Sequence, residues 1–276
     1  MQRLMHTICT EPFEEEFIIS AILRNNELNG HATNGARYKE ITHSELYMIE
    51  YNVPKAFGGM FEKDSIYKHT LHPIGVLFDK ARYKSMVFVP RGNFRICVQC
   101  VMNDVQRTGT SFIHRQHVMP GTLTCHLHAS PLLATCPVCR VKIKHHRINT
   151  LSECISQLNN IADESSPNSE THKYAKFVND ILQRADAEKY RLHAIATIDR
   201  SLKKMGYSSS SKTGYLEVSR DTDNILGLEE GGYQKACKSK QGNQTSMHLF
   251  PRIAYLIYET LDTYISEIEE YSSNIK

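Results

Sequence analysis

The spacing of cysteine and histidine constrains this chain of 276 residues more than any other feature. Six of its eight cysteines fall between Cys97 and Cys154. Cys97-x-x-Cys100 is followed, after residues 101–124, by Cys125-x-x-His128. Two residues between ligands let one tight turn aim both side chains at a single ion, so two such turns supply four ligands. Thiolate and imidazole select Zn2+ over Mg2+ or Ca2+, and four protein ligands leave no position for an activated water. The expectation is a closed, structural zinc site at Cys97, Cys100, Cys125 and His128, worth on the order of 10 kcal/mol to the fold of its segment. A redox Cys-x-x-Cys needs no matching Cys-x-x-His downstream, so the spacing favours metal. A second half-site stands at Cys136-Pro137-Val138-Cys139. Its partners stay open: His145, His146 and Cys154 follow at no recognised spacing. Arg140 to Lys144 alternates charged and apolar residues, so a strand there would place Arg140, Lys142 and Lys144 on one face.

Composition bounds the class. With 41% hydrophobic and 23% charged residues the chain reads as globular, long enough for two or three small domains. A formal net charge of +3 is only mildly basic, so nucleic-acid contact would have to come from local patches. No apolar run reaches the roughly 18 residues that span a bilayer, and the acidic stretch from Glu11 to Glu16 is unlike a signal peptide. A cytoplasmic location is therefore expected, where clustered cysteines favour metal over disulfides. No G-x-x-x-x-G-K-[S/T] loop and no assembled catalytic constellation is present, so no enzyme activity is expected. His43-Ser44-Glu45 with a later Cys-x-x-Cys superficially suggests a zinc deaminase. That pattern needs a proline just before the first cysteine, where Thr135 stands, and Glu45 reads as a capping residue.

Along the chain, Pro12 and the acidic Glu14, Glu15 and Glu16 open a predicted helix whose apolar stripe runs through Phe13, Phe17, Ile18, Ala21 and Ile22 to Arg24. Asn25 to Gly35 reads as a polar loop. Thr42-x-x-Glu45 is a capping box for a helix closed by Pro54, and a short helix from Asp64 is expected to stop at Pro73. A helix over 151–164 precedes a linker at 165–171. Lys173 to Met205 is helical in pattern, with Gly206 as its C-terminal cap. Two short helices near 215–218 and 222–228, a loop over 235–244 and a last helix from His248 to Ile265 complete the chain. Arg191, Lys203, Lys204 and Lys212 stand where they could meet phosphate.

The stretch from Phe94 to Leu132 resembles the core motif of the TniQ/TnsD family of transposition target-site selection proteins. The resemblance rests on Phe94-Arg95 before Cys97-x-x-Cys100, on Phe112-Ile113-His114-Arg115-Gln116-His117-Val118-Met119-Pro120-Gly121, and on Cys125-x-x-His128 leading to Pro131-Leu132. Departures are Ile113 for the usual tryptophan, Val98 and His126 for prolines, and Ala129 for glycine. Tyr67 to Pro73, Tyr190-Arg191, Gly206 and His248 to Leu256 also stand at places comparable with the family's. The resemblance implies a mainly α fold with a small zinc-ribbon β element and helix-turn-helix-like modules flanking the zinc-binding domain. The division expected is 1–85 N-terminal helical, 86–150 zinc-binding core and 151–276 C-terminal helical. It further implies an adaptor that binds target DNA, or a DNA-bound CRISPR effector with its guide RNA, and recruits the transposon AAA+ ATPase of the TnsC/TniB type. A homodimer, and association with the nucleoid when bound to DNA, fit that role. In it Arg140, Lys142, Lys144 and Arg147 would contribute phosphate contacts. Two other readings stand beside it: an RNA-guided effector adaptor with little direct DNA binding, and a stand-alone zinc-ribbon transcription regulator.

Overall fold

The structure, a computed structural model, describes residues 10–30, 63–78, 93–158, 165–207, 212–228 and 242–275. In chain order its described helices are α1 (Ile18–Leu28), α2 (Lys63–Lys68), α3 (His72–Phe78), α4 (Val98–Thr108) and α5 (Leu151–Ile155). These are followed by α6 (Glu170–Gln183), α7 (Ala187–Lys204), α8 (Lys212–Ile225), α9 (Gly242–Tyr258) and α10 (Leu261–Ser273). Two 3-10 turns, Arg115–Val118 and Ile143–His145, complete the set. The mainly α expectation therefore holds. A zinc ribbon is not confirmed: among the described residues no extended strand forms, and β pairing is supplied by isolated bridges such as Glu16 to His114, Ile96 to Leu133 and Thr135 to Lys142. The capping box at Thr42 and Glu45, with its helix, and residues 235–241 of the loop expected over 235–244 lie outside the described residues; residues 242–244 belong instead to the start of α9.

The chain divides into two compact units. The first comprises residues 1–71, 87–119 and 130–165, and carries α1, α2, α4 and α5. Its N-terminal helix begins at Ile18, six residues later than the proline that was expected to open it. The acidic run does not line the first turn. Glu15 adopts a left-handed backbone (φ 63°), and Glu16 is extended and paired with His114, with Phe17 N donating to Ile113 O at 2.8 Å and Arg115 N to Glu15 O at 2.9 Å. Glu16 is fully buried and receives Arg24 Nη2 at 2.8 Å, Arg24 Nε at 3.2 Å and Ser20 Oγ at 3.1 Å. Helix α1 then runs on through Asn25, so the expected polar loop starts only at Asn29-Gly30, where Gly30 takes the left-handed conformation (φ 70°). Around this scaffold Phe17, Ile18, Ile22, Phe94, Val101, Phe112, Ile113 and Ile148 form the core. The Phe17 and Phe94 rings meet edge to face at 5.9 Å, and Glu27 accepts the Ile148 and Asn149 amides at 2.9 and 2.8 Å.

The second unit comprises residues 72–86, 120–129 and 166–276, with α3 and α6 to α10. Pro73 was expected to end a helix; it stands instead in the first turn of α3, where its missing N–H and fixed φ cost nothing. Helix α3 packs on α6, α7 and α9, burying Ile74, Leu77 and Phe78. Phe78 stacks on Tyr264 of α10 at 6.0 Å, and Tyr264 donates to Ala194 O at 2.9 Å. The long helical pattern from Lys173 to Met205 is two helices, broken where Arg184 takes an extended backbone and pairs with Asp186. Gly206 does close α7: Tyr207 N reaches back to Leu202 O at 2.9 Å and Gly206 N to Lys203 O at 3.1 Å. The pair of short helices expected near 215–228 is the single helix α8, closed in the same way by Gly227. The final helix is broken at Glu259 (φ 59°), after which Thr260 caps α10 by accepting from Thr263 N at 3.3 Å.

Candidate metal centres

Cys97 and Cys100 are presented by the start of α4. Cys97 is its extended N-cap (φ −98°, ψ 129°), set in place by the reciprocal pair Ile96 N to Leu133 O (3.0 Å) and Leu133 N to Ile96 O (2.8 Å). Both cysteines are buried, and Cys97 Sγ lies 3.1 Å from Ser130 Oγ. Cys125 and His128 are presented by a knuckle closed by Ala129 N to Cys125 O at 2.9 Å, with Ala129 left-handed at φ 54°. Three bonds tie this knuckle to α6 and its approach. Ser166 N donates to Ala129 O at 2.9 Å, Thr124 Oγ1 to Thr171 Oγ1 at 2.8 Å, and His172 Nε2 to His126 O at 3.0 Å. Asn168 N donates to His172 Nδ1 at 3.2 Å, which makes Nε2 the protonated nitrogen.

The ligand atoms of Cys97, Cys100, Cys125 and His128 all lie within 4.8 Å of one another, so this group can hold a metal ion. The geometry can be tested further. A tetrahedral ion with bonds of about 2.3 Å to sulfur and about 2.05 Å to nitrogen separates those two donors by about 3.6 Å. Cys125 Sγ and His128 Nδ1 are 3.6 Å apart, so Nδ1 is the nitrogen placed to coordinate an ion there. A second grouping, His117, Cys125 and His126, shares Cys125 but offers three donors in place of four.

The half-site at Cys136 and Cys139 is completed by His146 and Cys154, whose ligand atoms join it within the same 4.8 Å. Its knuckle repeats the first: Arg140 N donates to Cys136 O at 3.1 Å, and Arg140 is left-handed at φ 63°. The strand expected over 140–144 is absent. Cys136 N to Val141 O (2.8 Å) and Ile143 N to Ala134 O (2.9 Å) make one bridge, after which the chain curls through Ile143–His145 and returns His146 toward the thiols. His146 Nδ1 donates to Arg147 O at 2.8 Å, turning Nε2 into the available donor atom. Cys154 comes from α5, which packs on α4. The Val141 amide and the neighbouring thiols pull the exposed Cys139 thiol down to about 7. Desolvation and the same neighbours push Cys154 up to about 11, as expected where close thiols give up protons in turn. Residue identity placed Cys136 and Cys139 on this site from the start. His146 and Cys154 carry no local signature, since the seven-residue gap between them is closed by tertiary packing.

The run from Phe112 to Met119 packs inside the first unit, with every residue buried. His114 is only 4% exposed, with Nε2 donating to Asp104 Oδ2 at 2.8 Å and Nδ1 3.4 Å from Glu15 Oε2, an ion-pair distance. Burial opposes its charge, but the two carboxylates prevail and hold its pKa up at about 9. Its ring lies 4.8 Å from Phe112 and 4.9 Å from His117.

Arg140, Lys142, Lys144 and Arg147 are all exposed, and none forms an ion pair with a described residue. Arg191 differs, being held by Glu188 at 3.1 Å; Lys203 and Lys204 are exposed at the end of α7. No described helix is long and apolar enough to cross a membrane. Neither a family model nor a curated protein sequence matches the chain.

Proposed function

We propose that this protein is a zinc-stapled, non-catalytic adaptor that selects a target for transposition, as its resemblance to the TniQ/TnsD family implies. It binds target DNA, or an RNA-guided CRISPR effector already on DNA, and recruits the transposon's AAA+ ATPase of the TnsC/TniB type. The observation that carries the reading is the cluster of Cys97, Cys100, Cys125 and His128, because the same four residues carry the resemblance and meet within 4.8 Å. Ala129 adds support: its left-handed backbone is a conformation that favours glycine, the residue the family pattern has there.

Three sulfurs and one imidazole suit Zn2+, and a four-ligand cage acts as a staple, with no open position for chemistry. The cytoplasm suits such thiolate sites. In this reading the helices of the second unit offer the recruiting surface, while Arg140, Lys142, Lys144 and Arg147 hold phosphates without reading bases. Two measurements with the purified chain test it. Capture of a transposon AAA+ ATPase in pull-down, with elemental analysis finding zinc, is the expected result. Zinc-loaded protein that ignores the ATPase yet shifts a palindromic duplex would replace the adaptor with a transcription regulator. Capture without any DNA shift would favour the RNA-guided form.

A further inference from the structure

We propose that residues 139–147 form a metal-gated contact for the phosphodiester backbone of a nucleic acid, ordered by an ion at Cys136, Cys139, His146 and Cys154. This rests on the nucleic-acid part of the function proposed above. Two of the four ligands bracket the segment: Cys139 stands directly before Arg140, and His146 directly before Arg147. Between them Arg140, Lys142, Lys144 and His145 are exposed, and Ile143 is the one side chain driven into the core. The backbone is otherwise tied by the bridge at Thr135 and Lys142 and the bonds to Ala134 and Cys136.

Two features of this segment oppose its own order. Arg140 occupies a left-handed backbone at φ 63°, which a side-chain-bearing residue keeps only when its surroundings over-determine it. Four cations also stand within eight residues without a described anionic partner. A divalent ion answers both. It fixes the knuckle that demands the left-handed residue, and with three thiolates and a neutral imidazole the cluster carries a net charge of −1, which offsets the neighbouring repulsion. Emptied, the cluster no longer ties the two ends of the segment, which keeps Ile143, the bridge at Lys142 and the bonds to Ala134 and Cys136 as its anchors.

The occupant follows from what the surface lacks. A protein interface needs an apolar, desolvated centre, and the segment offers only Val141, 42% exposed, between its cations. A run of exposed cations on a short curl instead suits phosphates, which are contacted without an apolar centre. DNA and RNA share that chemistry.

The test uses the full chain loaded with zinc, a labelled DNA duplex, and a single-stranded RNA of the same length. Binding is followed by fluorescence anisotropy across a KCl series, with zinc counted by elemental analysis. Cys154→Ser is expected to lose one zinc per chain. Its log-affinity against log-salt slope should become shallower by about 3.6 on the duplex or about 2.8 on the RNA, from four charges at about 0.9 or 0.7 each. Between about 50 and 200 mM salt that is a difference on the order of 10²-fold on the duplex. The arm in which the slope falls by its full expected amount identifies the polymer. A variant with Arg140→Gln, Lys142→Gln, Lys144→Gln and Arg147→Gln should keep both ions and lose the same slope. If Cys154→Ser fails to fold, chelator titration of the wild type decides: zinc release and loss of binding should coincide.

Binding that survives release of the ion, or a slope unchanged in the four-residue variant, overturns the inference. So does preference for an acidic polypeptide over both nucleic acids. ATPase capture is scored separately. Capture with ungated binding sinks only this inference, and gated binding without capture sinks only the transposition reading.

Discussion

Titrating His114 should destabilise the first unit at a pH where most proteins are indifferent. Its imidazole is 4% exposed and clamped between Asp104 at 2.8 Å and Glu15 at 3.4 Å. Burial pulls its pKa down, the carboxylates pull it up more strongly, and the outcome is about 9 against 6.5 in an unfolded chain. A pKa raised by folding means the folded state holds the proton more tightly. The resulting stability is complete below pH 6.5 and disappears as pH rises through about 9. At about 1.36 kcal/mol per unit, a shift of some 2.5 units is worth about 3 kcal/mol. Cysteine ligands complicate a simple pH scan, because their metal affinity grows with pH and acts in the opposite direction. The informative quantity is therefore the difference between wild type and Asp104→Asn, measured by urea unfolding at constant free zinc from pH 6 to 9.5. Circular dichroism or tyrosine emission serves as the probe, since the chain has 14 tyrosines and no tryptophan. The variant should be less stable by about 1–2 kcal/mol near pH 6, a part of the whole because Glu15 stays in place, with the gap closing toward pH 9.5. Curves that stay parallel across that range would refute the assignment of a charged, carboxylate-held His114.

Other substitutions probe the same structure. Ala129→Gly relieves a left-handed alanine, about 1–2 kcal/mol, at the expense of about 0.5–1 kcal/mol of glycine entropy, so a net gain of about 0.5–1 kcal/mol is expected. A melting temperature that falls would mean the knuckle is not left-handed at this residue. Glu16→Ala strands Arg24, 2% exposed, and should cost about 3–5 kcal/mol in thermal or chemical unfolding, whereas apolar replacement of both partners together should recover most of that loss. A single substitution that is neutral would show that the pair is solvated. Excess chelator should release two ions per chain at two rates. The fast one would come from the cluster with exposed Cys139 and the slow one from the cluster in which Cys97, Cys100 and Cys125 are buried. A single kinetic phase, or fewer than two ions, would contradict that ordering.

What could be foreseen depended on how local the determinant was. Cys97 with Cys100, Cys125 with His128, and Cys136 with Cys139 are each separated by two residues, a spacing that brings both side chains together within one turn, whether a knuckle, as at Cys125 and Cys136, or the start of α4, as at Cys97. Gly206 was legible for the same reason, since the bonds that close α7 span only a turn and a half. His146 and Cys154 were not, because what unites them is the docking of α5 on α4. The acidic run near Pro12 misled, because carboxylates before an apolar stripe suggest a helix start. In the folded unit Glu16 serves as a buried counter-ion for Arg24, eight positions on. The alternation from Arg140 to Lys144 suggested a strand, yet a chain that must bring His146 back to two thiols has no room to extend.

Packing α4 against α5 has a consequence for biogenesis. The first cage draws its donors from residues 97 to 128, and the second from residues 136 to 154. A ribosome therefore delivers the earlier set whole before the later one is finished. Until residue 154 has left the exit tunnel, the second knuckle can offer an ion at most three protein donors, with solvent filling the remaining place. An ion captured at that moment would have three protein ligands and would gain the fourth only once the short helix is docked, so the last ligand to be synthesised would act as the clasp.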